Sequence, residues 1–373
     1  MQSYEVLVVD DSVFMRKIIT DLISEDPQFK VIGAAKNGKQ AVEMVKRLRP
    51  RVVTMDIEMP EMNGLDALQV IMTEQPTPVV MLSSLTQDGA RETIIALERG
   101  AIDFIGKPSG SISLDLRKVQ TALLEKLRVA VKADVTKFRV HQAPAWKPSV
   151  GPQHGTEAKQ TITHEPRPIP TNPLNGQAPS QVKQVIAIGT STGGPRALHQ
   201  VISNIPAHLP APIVIVQHMP PNFTKSLAQR LDSVSNVCVV EAKNGMILQN
   251  GVAYVAPGGF HMSVARNGTG SYKIHISKEE PRGGHRPSVD TLFESLLPFK
   301  ELKRHIVLMT GMGSDGAKGM LALKNAGAVT TIAESEETCI VYGMPRAAVE
   351  LNCVTHVLNQ QDIAQKLAQA VLR

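Results

Sequence analysis

The strongest constraint on the fold is a repeated unit in which a short apolar run ends in polar residues and an amphipathic segment follows. The first run covers residues 6–9, ends at Asp10 and Asp11, and precedes helical spacing over 14–23. Short apolar runs without alternation are typical of strands buried on both faces of a parallel sheet, which helices usually connect. The unit therefore predicts a doubly wound α/β architecture.

The unit recurs through the first part of the chain. Apolar runs at 31–35, 51–55, 78–82 and 103–106 alternate with helical patterns over 41–48, from 65 and over 91–99. Beyond Asp10 and Asp11, polar residues follow these runs at Asp56, Ser83 and Lys107. Because ligands bind at the carboxyl ends of strands in open α/β sheets, we expect these five side chains to converge at one edge.

The chemistry of these five residues suits a phosphate and a metal ion. Three carboxylates held together are costly unless a cation or a proton is present, and a ligand set of oxygens suits Mg²⁺. Lys107 adds a compact positive charge and Ser83 a hydroxyl group. Each residue alone is explained as a helix cap or a surface charge, but the set at successive strand ends favours a functional site.

Residues 1–120 resemble a response-regulator receiver domain, which has a flavodoxin-like fold. The similarity lies in the acidic pair after the first strand, the Met-Asp-Ile-Glu-Met-Pro context of Asp56, Ser83, and Lys-Pro at 107–108. The resemblance implies that a histidine kinase phosphorylates Asp56 while Asp10, Asp11 and Asp56 hold Mg²⁺. It also implies that Ser83 and Lys107 are the switch residues.

Residues 121–182 are predicted to contain the end of a helix and a flexible linker. Helical spacing fades after residue 131, and prolines recur from residue 144 to residue 179. Such a composition buries little apolar surface and is typical of an extended tether. A docking segment anchored by Trp146 is the alternative, and His141, His154 and His164 are too scattered for a metal site.

A second alternation predicts another doubly wound, mostly parallel α/β domain over 183–373. Apolar runs at 185–188, 212–216, 305–309 and 328–332 alternate with helical patterns that end near 202 or cover 223–231 and 317–325. Shorter β-like pieces lie at 237–240, 251–256 and 272–276. Ser191, His218 and Asp315 each follow one of the longer runs, so all three should face the same sheet edge.

The turn at 189–194 has several interpretations. Residues 189–193 fit the G-x-S-x-G pattern, in which a strand, a sharp turn and a helix expose the hydroxyl of Ser191. A loop that caps a helix or cradles a phosphate is a simpler reading. A dinucleotide site is disfavoured because Ser191 replaces the second glycine and the next strand ends in His218, where an acid is expected.

Together, Ser191, His218 and Asp315 supply a nucleophile, a base and an orienting acid. Their order along the chain differs from the serine, acid, histidine order of α/β-hydrolases. His218 alone is explained as a strand-end cap and Asp315 alone as a helix N-cap. Their coincidence with Ser191 favours catalysis.

The second domain resembles the catalytic domain of the chemotaxis protein-glutamate methylesterase (CheB) family. The motifs are Ile-Gly-Thr-Ser-Thr-Gly-Gly at 188–194, Gln-His-Met-Pro at 217–220, Ala-Pro-Gly-Gly-Phe-His at 256–261, His-Arg-Pro-Ser-Val-Asp at 285–290 and Thr-Gly-Met-Gly-Ser-Asp-Gly at 310–316. The resemblance implies hydrolysis of glutamate γ-methyl esters on chemoreceptors and deamidation of receptor glutamines, without a cofactor in this domain. It also implies an oxyanion hole formed by backbone donors near Thr192 and Met312.

Composition narrows the remaining classes. The net charge is +6, aromatic residues make up 3%, and the three cysteines are widely spaced, which disfavours nucleic-acid binding and a disulfide framework. No apolar run approaches a membrane span and no signal-peptide pattern is visible, so we expect a cytoplasmic protein without membrane insertion. We also expect a monomer with chemoreceptor and kinase partners, the alternative being a non-enzymatic response regulator whose output domain binds a protein.

Two further expectations concern the cleft around Ser191. In the unphosphorylated state the first domain should pack near the cleft and restrict access to it. His261, His285 and Arg286 lie in glycine- and proline-rich segments and can line the cleft. A surface loop is the other interpretation for His261, and Arg286 is expected to contact an acidic receptor helix.

Overall fold

The computed structural model describes residues 3–107, 113–135, 181–268 and 270–372. The proline-rich part of the predicted linker, with Trp146 and the three scattered histidines, lies outside the described residues. The domain boundaries at 120 and 182 stay predictions. In the first part of the chain the elements are β1 (Tyr4–Val9), α1 (Val13–Ser24), β2 (Phe29–Ala35), α2 (Gly38–Leu48), β3 (Val52–Asp56), α3 (Gly64–Glu74), β4 (Val79–Ser83), α4 (Gln87–Glu98), β5 (Asp103–Gly106) and α5 (Ser113–Ala130).

The second part of the chain forms a larger set of elements. They are β6 (Gln184–Thr190), α6 (Gly194–Ile202), β7 (Ile213–Gln217), α7 (Phe223–Val234), β8 (Cys238–Glu241), β9 (Val252–Val255), β10 (His261–Arg266), β11 (Tyr272–Ser277), α8 (Val289–Glu294), β12 (Lys303–Leu308), α9 (Ala317–Asn325), β13 (Thr330–Glu334), α10 (Met344–Glu350), β14 (His356–Leu358) and α11 (Gln360–Val371). No described helix is long and apolar enough to cross a membrane.

The first sheet has five parallel strands in the order β2-β1-β3-β4-β5. Its apolar runs are buried because helices cover both faces, as the absence of alternation predicts. Strand β1 lies between β2 and β3, and Val9 pairs with Met55. Asp10 and Asp56 are the next residues along, so this register brings their carboxylates together.

The second sheet has seven parallel strands in the order β14-β13-β12-β6-β7-β9-β8, and β10 and β11 form a separate antiparallel pair. The strand order reverses at β6, which lies between β12 and β7. A crevice at the carboxyl edge of such a reversal is the usual ligand site of doubly wound sheets. The prediction of two doubly wound α/β domains is therefore confirmed.

Element ends differ from the sequence patterns for local reasons. Helix α2 begins before its first apolar residue because the Asn37 side chain accepts from Gln40 N. Strand β13 begins two residues later than the apolar pattern predicts, because Ala328 N bonds to Leu323 O in the turn that leaves α9. The same strand continues to Glu334, a buried acid outside the predicted run.

The two domains are in contact through α4 and β5 of the first domain. Helix α4 packs against α6 and α7. The ring of Phe104 stacks on that of Phe223 with the centroids 4.4 Å apart. Arg230 binds both carboxylate oxygens of Glu98 at 2.9 and 3.0 Å. One apolar cluster runs from the first sheet into the second.

Candidate active site

The turn that carries Ser191 joins the end of β6 to the start of α6. Gly193 is the N-cap of α6 and has a φ of 80°, a conformation that favours glycine. A Cβ on Gly194 would lie 1.9 Å from Gln217 Oε1. The two glycines therefore allow the sharp turn that places Ser191 between a strand end and a helix N-terminus.

Gln217 ties the ends of β6 and β7 together. Its Oε1 accepts a hydrogen bond of 2.5 Å from Thr190 Oγ1, and its Nε2 donates to Ser191 O at 2.9 Å. These bonds fix the Ser191 turn beside the strand that leads to His218. The sequence analysis included Gln217 in the Gln-His-Met-Pro motif but assigned it no role, although a polar residue at the end of a buried strand was a signal for one.

His218 and Asp315 form a hydrogen-bonded pair. His218 Nε2 donates to Asp315 Oδ2 at 2.9 Å. Asp315 also accepts bonds from Ser288 Oγ at 3.0 Å and from the backbone N–H groups of Val289 at 2.7 Å and Asp290 at 3.0 Å. Burial opposes ionisation of Asp315, but the bonds from His218 and these backbone groups outweigh it and lower the pKa to about 2. The carboxylate is therefore ionised and fixed.

Asp315 does not cap the helix that follows it. The N-cap of α9 is Gly316, so no side chain caps this helix. Asp315 instead satisfies backbone groups at the start of α8. The helix-cap interpretation of Asp315 is therefore wrong for α9.

The other ring nitrogen of His218, Nδ1, is not bonded to Asp315. Among the described residues, His218 Nδ1 is buried without a hydrogen-bond partner, and no bond joins it to Ser191. Ser191 and His218 nevertheless line one small pocket, together with Thr192. The pairing of Nε2 with the acid leaves Nδ1 as the nitrogen that can act as a base.

His285 covers one face of His218. The two rings are stacked with centroids 3.9 Å apart and planes only 4° apart. Burial, and then the charge of His218, lower the pKa of His285 to about 4, so the ring is neutral near pH 7. A tight turn presents His285, because Arg282 and His285 exchange backbone bonds and Arg282 pairs with Glu294. Sequence reasoning had placed His285 only in the cleft.

His261 corrects one expectation. It is not a surface loop residue, because it begins β10 and is buried. Its Nδ1 accepts from Ser288 N at 3.3 Å, so Nε2 carries the proton and donates to Glu280 O at 3.0 Å. His261 therefore steadies the segment that contacts Asp315. Arg286 is half-buried and donates to Glu279 O at 2.9 Å.

Two loops contain the predicted oxyanion donors. The Thr192 side chain donates to Asp103 Oδ2 at 2.6 Å, and the Met312 side chain is exposed. Gly311 lies against Ser191, because a Cβ on Gly311 would be 2.7 Å from Ser191 Cβ. The Met312 loop is thus next to the Ser191 turn. The roles of Thr192 and Met312 stay predictions.

The first domain closes one side of this pocket. Asp103, Phe104 and Lys126 line it beside Ser191 and His218. Asp103 accepts from Thr192 and forms an ion pair of 2.6 Å with Lys126. Sequence patterns gave no sign of Asp103 because its partner Thr192 is 89 residues away in another domain.

The carboxyl edge of the first sheet contains the predicted acidic site. Asp10, Asp11 and Asp56 offer oxygens that lie within 4.8 Å of one another, an arrangement that fits a divalent cation with oxygen ligands. Lys107 Nζ lies 2.9 Å from Asp10 Oδ2 and 2.7 Å from Asp56 Oδ2. Burial raises the pKa of Asp56 to about 6, although Lys107 opposes the shift. Loss of the Asp56 proton or binding of a cation therefore changes the net charge of this buried site.

Ser83 is buried and turned towards α4. Its Oγ donates to Gly89 O at 3.2 Å and accepts from Thr93 Oγ1 at 2.7 Å. Lys107 N also donates to Ser83 O at 2.8 Å. The residues predicted as the switch are thus linked to each other and to the helix that contacts the second domain.

A receiver-type sheet with an acidic pocket, joined to a sheet with a serine, histidine and aspartate at its switch point, defines a response regulator with a hydrolase output domain. Residues 6–117 match the response regulator receiver domain model, and residues 186–367 match the CheB methylesterase model. The chain belongs to the protein-glutamate methylesterase/protein-glutamine glutaminase family.

Similar proteins cover the whole chain. The protein of that name from Geobacillus kaustophilus is 47% identical, over 100% of this chain and 99% of its own. Its counterpart from Halalkalibacterium halodurans is 46% identical, over 99% of both chains. The crystal structure of the Thermotoga maritima CheB methylesterase catalytic domain is 43% identical, covers 50% of this chain and 97% of its own, and has a TM-score of 0.48.

Proposed function

We propose that this chain is a cytoplasmic, phosphorylation-regulated serine hydrolase that demethylates glutamate γ-methyl esters of chemoreceptors and deamidates their glutamines. The observation that carries the proposal is the His218–Asp315 pair, which leaves His218 Nδ1 unpartnered in the pocket of Ser191. Acyl transfer needs a nucleophile, a base and an acid in this relation. The non-enzymatic alternative has no support from the comparisons.

The proposed reaction has two halves. His218 Nδ1 takes the proton of Ser191 as Oγ attacks the ester carbonyl, and Asp315 stabilises the imidazolium. Backbone donors near Thr192 and Met312 receive the oxyanion. His218 returns the proton to the leaving methanol, and water then attacks the acyl-enzyme by the same route to release glutamate. Deamidation follows the same steps with ammonia as the leaving group.

Regulation is proposed to act through the first domain. A histidine kinase would transfer a phosphoryl group to Asp56, with Asp10, Asp11 and Asp56 holding Mg²⁺, which neutralises charge during the transfer. The aspartyl phosphate adds charge and acceptor oxygens, which attract Lys107 and Ser83. Both are linked to the elements that cover the Ser191 pocket, so phosphorylation favours an open arrangement.

The proposed receptor contact involves a positive charge in the segment that contains His285. Half-buried Arg286 lies in the same segment as His285, and its positive charge suits an acidic receptor helix. We propose no nucleic-acid partner and no membrane insertion, and we propose that the chain acts as a monomer.

The decisive experiment measures methanol release from a methylated receptor. Wild type should release methanol, and Ser191→Ala should release none above background. Methanol release that is unchanged by Ser191→Ala would refute the proposal that this chain is a serine hydrolase with Ser191 as its nucleophile. Asp56→Ala should keep basal release but lose stimulation by a phosphodonor, and stimulation that survives this change would refute the regulation.

A further inference from the structure

A buried acid without an ion-pair partner among the described residues is connected to the Ser191 turn through one intervening residue, Thr310. Glu334 ends β13 and is fully buried. Strand β13 pairs with β12 through Leu308 and Ala333, so Glu334 lies next to the residues that follow β12. In the described part of the chain, no lysine, arginine or histidine forms an ion pair with Glu334. A buried carboxyl group of this kind is costly and needs a structural reason.

Both oxygens of Glu334 accept hydrogen bonds. Oε2 accepts from the backbone N–H of Thr310 at 2.9 Å, and Oε1 accepts from Thr338 Oγ1 at 3.0 Å. Thr338 is itself held, because its Oγ1 accepts from Gln360 N at 3.1 Å. Glu334 therefore joins the segment after β12 to the segment after β13 and the start of α11.

Thr310 passes this constraint to the Ser191 turn. Its carbonyl oxygen accepts from Ser191 N at 3.0 Å. Its Oγ1 donates to Thr192 O at 2.9 Å and accepts from Val341 N at 3.1 Å. One residue, whose own N–H is held by Glu334, thus holds the peptide group before Ser191 and the peptide group after Thr192.

We propose that Glu334 is a positioning residue for the reaction at Ser191, acting through Thr310 on the backbone of Ser191 and Thr192. The inference rests on the proposed function. Acyl transfer depends on the placement of the nucleophile and the oxyanion donors to within a fraction of an ångström. A carboxyl group suits the task because it offers an acceptor oxygen to each of two donors, Thr310 N and Thr338 Oγ1.

The test compares Glu334→Leu with Glu334→Gln in the full chain. Leucine leaves Thr310 N–H without its acceptor, and kcat for methanol release with saturating phosphodonor should fall by about 10- to 100-fold while KM stays the same. Glutamine keeps one acceptor oxygen for Thr310, so kcat should stay within about threefold of wild type. The rate at which a fluorophosphonate labels Ser191 should change in parallel with kcat.

A matched control separates positioning from general loosening of β13. Thr331 is buried in the same strand, and its Oγ1 accepts from Thr355 N and takes no part in the hydrogen bonds of Thr310. Thr331→Val should lower the melting temperature without lowering kcat. If Glu334→Leu does not fold, Thr310→Val carries the test, because it removes the bond to Thr192 O and should lower kcat at constant KM.

The outcomes are distinct. Folded Glu334→Leu with the kcat of wild type would overturn the inference, as would equal losses of kcat in Glu334→Leu and Thr331→Val. Loss of activity in Glu334→Gln as large as in Glu334→Leu would also overturn it. If wild type itself neither releases methanol nor reacts at Ser191, the proposed function fails, which is a different result.

Discussion

The two sheet edges of this molecule differ in what completes them. At the edge of the first sheet, Asp10, Asp56 and Lys107 come from one domain, and Lys107 forms ion pairs of 2.9 and 2.7 Å with the two carboxylates. At the edge of the second sheet, the Ser191 pocket is partly lined by residues of the first domain. The first edge holds a cluster of carboxylates suited to a cation, whereas the second holds the hydrogen-bonded His218–Asp315 pair in a pocket that the first domain covers on one side. Control can therefore be exerted at one edge and chemistry at the other.

Strand β5 physically connects the two edges. Its first residue, Asp103, binds Thr192, and Lys107 directly follows its last residue. Four strand residues span about 13 Å, so both contacts lie on one short rigid segment. A displacement of Lys107 at the proposed phosphorylation site would therefore act on the same strand that contacts the second edge. The predictions below test this division of roles, starting from the largest expected effect.

The largest effect is expected at the second edge. Asp315→Asn preserves the shape of the side chain but presents an N–H group where donors converge, so His218 is no longer held in the catalytic tautomer. We expect kcat for methanol release to fall by about 10⁴-fold, with the phosphodonor present or absent. A loss of kcat seen only without the phosphodonor would mean that control at the first edge and chemistry at the second edge are not separate roles.

The comparison also shows what the sequence can and cannot predict. Apolar runs without alternation predicted both parallel sheets, and the polar residues that follow them predicted Ser191, His218 and Asp315 at one edge. Placing these three residues at one edge required only the common direction of parallel strands. Asp103 was invisible because its partner lies across a domain contact. Glu334 was invisible because a buried acid in a strand looks, in sequence, like the end of that strand.

The second prediction concerns pH and the buried acid of the second edge. Asp10 and Asp56, at the first edge, lie beside Lys107, whereas Glu334, at the second edge, is fully buried. Burial raises the pKa of Glu334 from 4.5 to about 7. The folded protein therefore holds a proton that the unfolded chain loses, and stability falls as pH rises from about 4.5 through about 7. Glu334→Gln does not titrate, so its stability relative to wild type should increase by up to about 3 kcal/mol over this range.

Urea unfolding at a series of pH values, followed by circular dichroism, measures this difference. Thr331→Val changes the same strand without altering a titrating group, so its offset from wild type should be the same at every pH. A pH-independent offset for Glu334→Gln would show that Glu334 does not hold its proton in the folded state.

The third prediction addresses the cover over the second edge. Phe104→Ala removes the ring that stacks on Phe223, which weakens the contact between the domains. An aromatic pair contributes about 0.5–1.5 kcal/mol beyond buried area, so methanol release without a phosphodonor should rise by up to about tenfold. Phe14→Ala is the control, because Phe14 is an exposed phenylalanine on α1 of the same domain. An equal rise in both variants would indicate a general change in the receiver and not release of the cover.

The smallest effect is expected at the rim of the same contact. Arg230→Gln removes the pair with Glu98, and because the arginine is partly exposed the pair contributes only about 0.2–1 kcal/mol. Release without a phosphodonor should rise by about 1.5- to 5-fold at low salt, and added salt should narrow the difference from wild type by screening the pair. The matched control is Arg128→Gln, which breaks a similar partly exposed pair with Asp26 inside the first domain. Because that pair does not cross between the domains, a salt-dependent rise in Arg128→Gln would mean that the charge of the receiver, and not its contact with the second edge, limits access to Ser191.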